Sequence, residues 1–222
     1  MTFVPRLDIL PDEQRALWPA LSRVPKSFVL YGGTAIALRL GHRVSVDFDF
    51  FSSEPLDFEV LLALPFVRNA EILQQEPATL TISTPRAGSV APVKVSFFGD
   101  LDMGRVGHPQ QTDDGVVWVA AMPDLFATKL KVLLQRIAAR DYEDIAAMLR
   151  SGIALEDGLG AAVALYGAQF PPMEAVKTLA WFEIDDARNV GAATRELLSR
   201  TAANWRCAVS AIAKSEDRRL GP

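Results

Sequence analysis

Tyr31–Phe51 reads YGGTAIALRLGHRVSVDFDFF. Just upstream, Phe28 to Tyr31 (FVLY) is a short apolar run ending on Gly32-Gly33, the pattern of a buried strand entering a turn. Thr34 to Leu40 (TAIALRL) consists largely of helix formers and stops at Gly41. Val44 to Phe51 (VSVDFDFF) then alternates at period two, which predicts a strand. Successive strand side chains point to opposite faces, so Asp47 and Asp49 share one face while Val46, Phe48 and Phe50 share the other. The order is strand, helix, strand. Such a helix returns the chain so that the second strand lies beside the first, with the aspartates near the glycine turn.

Two carboxylates side by side on an apolar strand repel one another unless a cation lies between them. Asp-x-Asp can hold Mg²⁺ through oxygen ligands and leave positions for water and phosphate. Gly32 and Gly33 let the backbone approach a phosphate, and the helix behind them offers free N–H groups. Thr34 adds a hydroxyl, and Arg43 and Ser45 suit phosphate contacts. Taken singly, Asp-x-Asp also marks strand ends, a glycine pair marks ordinary turns, and Ser45 suits a solvated strand entry. Their order and spacing carry the metal-and-phosphate reading. His42 reads as a surface turn residue, and His108 as a polar-loop residue without a ligand partner at metal spacing.

The rest of the chain divides in character. Helices are expected from Pro11 or Asp12 to about Ser22, with Leu17, Trp18 and Leu21 inward, and over Asp57 to Leu64. Further strands are expected at Thr79–Ser83, Val93–Phe98 and Val116–Val119. From Pro123 onward apolar residues recur at helical spacing, with breaks near Gly152, Gly158 and Pro171-Pro172, and the Asp186–Pro222 tail reads as an amphipathic helix with a frayed end. Trp181, Phe182 and Trp205 read as helical core. An α/β part, 1–120, is therefore followed by a helical part, 121–222. The 222 residues suffice for one large core or two small ones, and the single cysteine, Cys207, precludes an internal disulfide framework. A net charge of -4 argues against binding that blankets phosphates with basic residues, although a basic cluster lies between Lys129 and Arg150. With no leader pattern and no run of about 18 apolar residues, no membrane association and a cytoplasmic location are expected.

The quoted segment resembles the first motif of the nucleotidyltransferase AbiEii/AbiGii-type toxin family, a branch of the DNA polymerase β nucleotidyltransferase superfamily. That motif is a Gly-Gly or Gly-Ser turn, a short helix, then Arg-x-Ser/Thr-x-Asp-x-Asp, matched by Gly32, Gly33, Arg43, Ser45, Asp47 and Asp49. DLFATKLKVLLQRIAARDYEDIAAML is similar to the family's lysine-containing helix followed by Arg-Asp-x-x-Asp, here Lys129, Arg136, Arg140, Asp141 and Asp144. The resemblance implies an α/β (α+β) fold: a small mixed sheet flanked by helices, then a helical C-terminal region completing the active-site cleft. It implies transfer of a nucleoside monophosphate from an NTP to an acceptor, either RNA such as a tRNA end or protein, by the toxin of a toxin-antitoxin pair with a cognate antitoxin protein. Asp47 and Asp49 would hold Mg²⁺, and Gly33, Thr34 and Ser45 the outer phosphates. Lys129 would reach the triphosphate, and Asp144, or second to it Asp141, would handle the acceptor proton. The alternative for Asp141 and Asp144 is a helix-surface cluster paired with Arg136 and Arg140. In one respect the chain departs from the superfamily pattern. Where a third carboxylate is expected, the strand Val93–Phe98 carries Lys94 and Ser96. Asp100 and Asp102 follow the strand as substitutes, and Lys94 suits a phosphate. A non-catalytic nucleotide-binding or partner-binding module of the same fold and an enzyme that adenylylates a small molecule are the competing functions.

Overall fold

Alternation along one strand organises the first half of the molecule. In the computed structural model, which describes residues 2–84, 91–217 and 219–222, Phe48 and Phe50 are fully buried while Asp47 and Asp49 on the opposite face are half-buried. The elements of this half are β1 (Thr2–Phe3), α1 (Asp12–Leu17), β2 (Val29–Tyr31), α2 (Gly32–Leu40), β3 (Asp47–Phe51), α3 (Phe58–Leu62), β4 (Glu71–Glu76), β5 (Thr79–Ser83), β6 (Lys94–Phe98), β7 (Gln110–Thr112) and β8 (Trp118–Val119). The described strands form one mixed sheet in the order β1-β7-β8-β2-β3-β6-β5-β4. β3 runs antiparallel to β2 and parallel to β6, so it lies between the strand that enters the glycine turn and the strand that carries Lys94 and Ser96.

The helical half comprises α4 (Met122–Leu133), α5 (Ala139–Arg150), α6 (Leu155–Tyr166), α7 (Pro172–Leu179) and α8 (Ala192–Asn204). Its core holds Phe126, Leu130, Leu133, Tyr142, Ile145, Met148 and Leu159. Gly158 does not break the chain; it lies inside α6, where a Cβ would come 2.7 Å from the Phe126 ring. The glycine therefore lets α6 approach α4 closely. Two units result, Met1–Ala121 with Glu216–Pro222, and Met122–Ser215.

Several expectations are corrected. α2 begins at Gly32, so the glycine pair forms the helix's first turn and does not precede it. The strand begins at Asp47, and Val46, expected to face inward, is 53% exposed. α1 gives way at Trp18 to a 3₁₀ segment that still buries Trp18 and Leu21, while Leu17 is half-buried. The tail is helical only from Ala192 to Asn204. Beyond it the chain returns to the first unit, where Arg105 Nη2 donates to Asp217 Oδ2 (3.2 Å), the Leu220 N–H donates to Ser53 Oγ (3.3 Å), and Leu220 is buried. Of the three C-terminal aromatics, Phe182 is buried, Trp205 half-buried and Trp181 exposed. Among the described residues no helix is long and apolar enough to cross a membrane.

Candidate active site

The residues singled out between Gly32 and Asp49 converge because α2 folds back on β3. β2 and β3 pair Tyr31 with Asp49, so the residue after Tyr31 must share space with the aspartate side chain. Gly32 adopts a φ of +74°, and a Cβ there would lie 2.7 Å from Asp49 Oδ2. Both facts require glycine, the first because side chains are strained in the left-handed region and the second for room. A Cβ on Gly33 would run into the Arg43 guanidinium and lie 3.0 Å from Ser45 Oγ. Arg43 also donates from Nη1 to the Val44 carbonyl at 2.9 Å. Thr34 is buried; its hydroxyl donates to the Asp47 carbonyl oxygen, and its Oγ1 lies 2.9 Å from Ser45 Oγ. A hydroxyl has one hydrogen to give. Thr34 thus pins the start of β3 to the first turn of α2, and this fixes the backbone that carries Asp47.

Beyond Asp47 and Asp49 on the same face, the register sets Lys94 opposite Asp47 and Ser96 opposite Asp49, and β5 continues the two rows with Ser83 and Thr81. Lys94 is exposed and Ser96 buried. Asp100 and Asp102 do not take the vacant acidic position. Register places Phe98 beside Phe51 at the end of β6, and Asp100 lies two residues past that end at a φ of +54°. There its N–H donates to the Glu54 carbonyl (3.0 Å), and both acids line a shallow pocket with Ser53, Glu54 and Arg219. Among the described residues no group of three or more His, Cys, Asp or Glu is arranged to hold a metal. Two carboxylate side chains on one strand face, with glycine backbone against one of them, nonetheless suit Mg²⁺, which binds one or two protein carboxylates and takes its remaining oxygens from water and phosphate.

Within the helical unit, Lys129 of α4 and Asp141 and Asp144 of α5 meet in the core. Lys129 Nζ lies 2.7 Å from Asp141 Oδ1 and 2.7 Å from Asp144 Oδ2, and Arg136 Nε donates to Asp141 Oδ2 at 3.1 Å. Both aspartates are fully buried, so they are not the solvated surface cluster that their helical spacing allows. Arg39, on the helix that begins with the glycine pair, is a half-buried cation that the sequence reading does not single out. It donates from α2 to Gln110 Oε1 and the Ala120 carbonyl, each at 2.8 Å, and lies over the Phe3 ring at 4.3 Å. Burial pushes its guanidinium pKa down to about 10. The signal for it in the sequence is a single base within the apolar helix TAIALRL.

The family model for the nucleotidyl transferase AbiEii toxin of type IV toxin-antitoxin systems matches residues 15–206. An uncharacterised protein of Aquifex aeolicus is 30% identical over 146 residues, which cover 64% of this chain and 68% of that one. Among solved structures, a protein from H. pylori described as a nucleotidyltransferase superposes with a TM-score of 0.55 at 19% identity, covering 86% of this chain and 90% of that one. MenT4, a nucleotidyltransferase toxin from Mycobacterium tuberculosis, superposes with a TM-score of 0.55 at 16% identity over 87% of this chain and 82% of that one. At such identities the structural likeness establishes the fold. The sequence match extends through both units: the chain belongs to the AbiEii family of nucleotidyl transferase toxins and is a nucleotidyltransferase.

Proposed function

We propose that the protein moves a nucleoside monophosphate from an NTP to an acceptor in a Mg²⁺-dependent reaction in the cytoplasm, with RNA, such as a tRNA end, or protein as the acceptor and a cognate antitoxin protein as partner. The observation that carries this reading is the convergence of Gly32, Gly33, Arg43 and Ser45 on the face of β3 that holds Asp47 and Asp49. Those two carboxylates would hold the cation. When bound, it supplies charge to offset the triphosphate and the departing pyrophosphate.

The chain's own groups do the rest. N–H groups of the first turn of α2, the Ser45 hydroxyl, and the Arg43 and Lys94 cations receive phosphate oxygens, and Thr34 keeps Asp47 in place. The acceptor oxygen bonds to the α-phosphorus and the bond from that phosphorus to the bridging oxygen breaks. Pyrophosphate leaves with the electron pair, and the acceptor proton passes to water. Lys129 and Asp144 enter the proposal as a pair. Lys129 Nζ lies 2.7 Å from Asp144 and equally close to Asp141, so the pair is assigned to holding α4 on α5, which positions the helical unit's groups.

The test is incubation of the protein, and of an Asp47→Ala Asp49→Ala variant, with Mg²⁺, each α-labelled NTP and total RNA or protein. Label moved into macromolecules by the wild type alone is expected. Label on a small molecule instead would replace the acceptor class. A second reading, a nucleotide-binding module without turnover, is favoured by Ser96 standing where an acid is expected. Nucleotide binding that requires both aspartates, with no transfer to any acceptor, would establish it.

A further inference from the structure

The face of the sheet that carries Asp47 and Asp49 has two rows in register, Asp47–Lys94–Ser83 and Asp49–Ser96–Thr81, from β3 across β6 to β5. In a two-cation phosphoryl-transfer site the ions lie about 3.5–4 Å apart, and the protein must supply enough anionic oxygen for both. Paired strands are about 4.8 Å apart, so position 96 is where an acid facing Asp49 would share a second ion. Ser96 there is neutral and 1% exposed, and the neighbouring row contributes a cation, Lys94. Charge balance then decides the ion count. Three acids with two divalent cations carry one net positive charge, and so do two acids, one lysine and one divalent cation. Arg43 adds one to each arrangement, so a second divalent ion beside Lys94 would leave the site with four excess positive charges before substrate arrives, two more than either balanced arrangement.

We infer that this site operates with a single divalent cation, held by Asp47 and Asp49, and that the Lys94 ammonium takes the electrostatic part of the second by binding the α-phosphate oxygens. The inference rests on the nucleotidyl-transfer reading above. Lys94 offsets the charge that builds on those oxygens as the acceptor oxygen bonds to phosphorus and pyrophosphate departs. Its exposed end and its position opposite Asp47 suit a group that meets substrate, and as a flexible point charge it needs no fixed geometry.

The experiment uses the full chain with a triphosphate analogue whose α–β bridging oxygen is replaced by a methylene, and it counts bound Mn²⁺ by electron paramagnetic resonance. One Mn²⁺ per chain is expected at saturation. Two would overturn the inference and leave the nucleotidyl-transfer reading standing, whereas binding of neither analogue nor Mn²⁺ would remove both. Lys94→Met, at an exposed position that leaves the fold intact, should keep the count at one and slow label transfer by about 10²-fold or more, the usual effect of removing one charge-stabilising donor. A variant that transfers at the wild-type rate would overturn the role given to Lys94.

Discussion

Replacing Lys129 with methionine keeps an unbranched stem of similar length and removes only the ammonium. Asp141 and Asp144 would then remain fully buried, with Arg136, itself half exposed, as the cation left to Asp141. Breaking a buried ion pair from one side costs about 3–5 kcal/mol, because the carboxylates that lose the ammonium keep their desolvation penalty. For a chain of this size each kcal/mol lowers Tm by about 2–4 °C, so a fall of about 6–20 °C is expected. Thermal and urea unfolding followed by far-UV circular dichroism would measure it. Adding Asp144→Asn to Lys129→Met should restore at least about 1.5 kcal/mol, within the range of coupling energies between groups in contact. A Lys129→Met protein within about 1 kcal/mol of wild type, or a double variant less stable than the single one, would refute the buried-clamp argument. The practical corollary concerns assays. Lost activity in a Lys129 variant reports on phosphate contact only after its folded fraction has been measured.

Two further outcomes follow from the first unit. Gly32→Ala must place a Cβ 2.7 Å from Asp49 Oδ2 at a φ of +74°, so it should cost about 1–2 kcal/mol in stability and lower Mn²⁺ affinity about 10–100-fold by turning the carboxylate aside. Unchanged Mn²⁺ affinity by calorimetry would show that Asp49 does not ligate. The Asp217 carboxyl, bonded by the Arg219 side chain and N–H and then by Arg105, has its pKa lowered to about 2. Because the folded value is depressed, its contribution is complete above the ordinary carboxylate value and is lost as pH falls through about 2. Carboxyl-carbon NMR should give a midpoint near that value, with exchange at the Leu220 amide rising over the same interval, and a midpoint near 4 would refute the arrangement.

Where alternation or helical spacing is strong, the elements can be read directly: β3, β5 and β6 from period two, α4 and α5 from their apolar faces. β4 could not be read this way. EILQQE exposes every side chain, and it is a strand because β5 supplies the backbone partners. β1 and β7 are too short to carry a pattern and exist through pairing across the sheet, and of the expected Val116–Val119 run only Trp118 and Val119 form a strand, β8. In the candidate site, the proximity of Gly32 to Asp49 follows from a strand, a nine-residue helix and a returning strand. The hydroxyl geometry of Thr34 does not follow, since residue type alone leaves open whether a threonine faces ligand or backbone. The ion-pair network of Lys129 was hidden for a related reason. Spacing along α5 sets which residues share a face, and only packing against α4 determines that this face is dry.

The return of residues 216–222 to the unit that begins the chain sets an order on biosynthesis. A ribosome delivers the sheet first and the whole helical unit next, and only afterwards the segment in which Asp217 meets Arg105 and Leu220 becomes buried. Until those residues emerge, buried Arg105 lacks its carboxylate. The first unit is therefore finished last, and nascent chains halted anywhere in the helical unit should hold a sheet that is formed but unlatched.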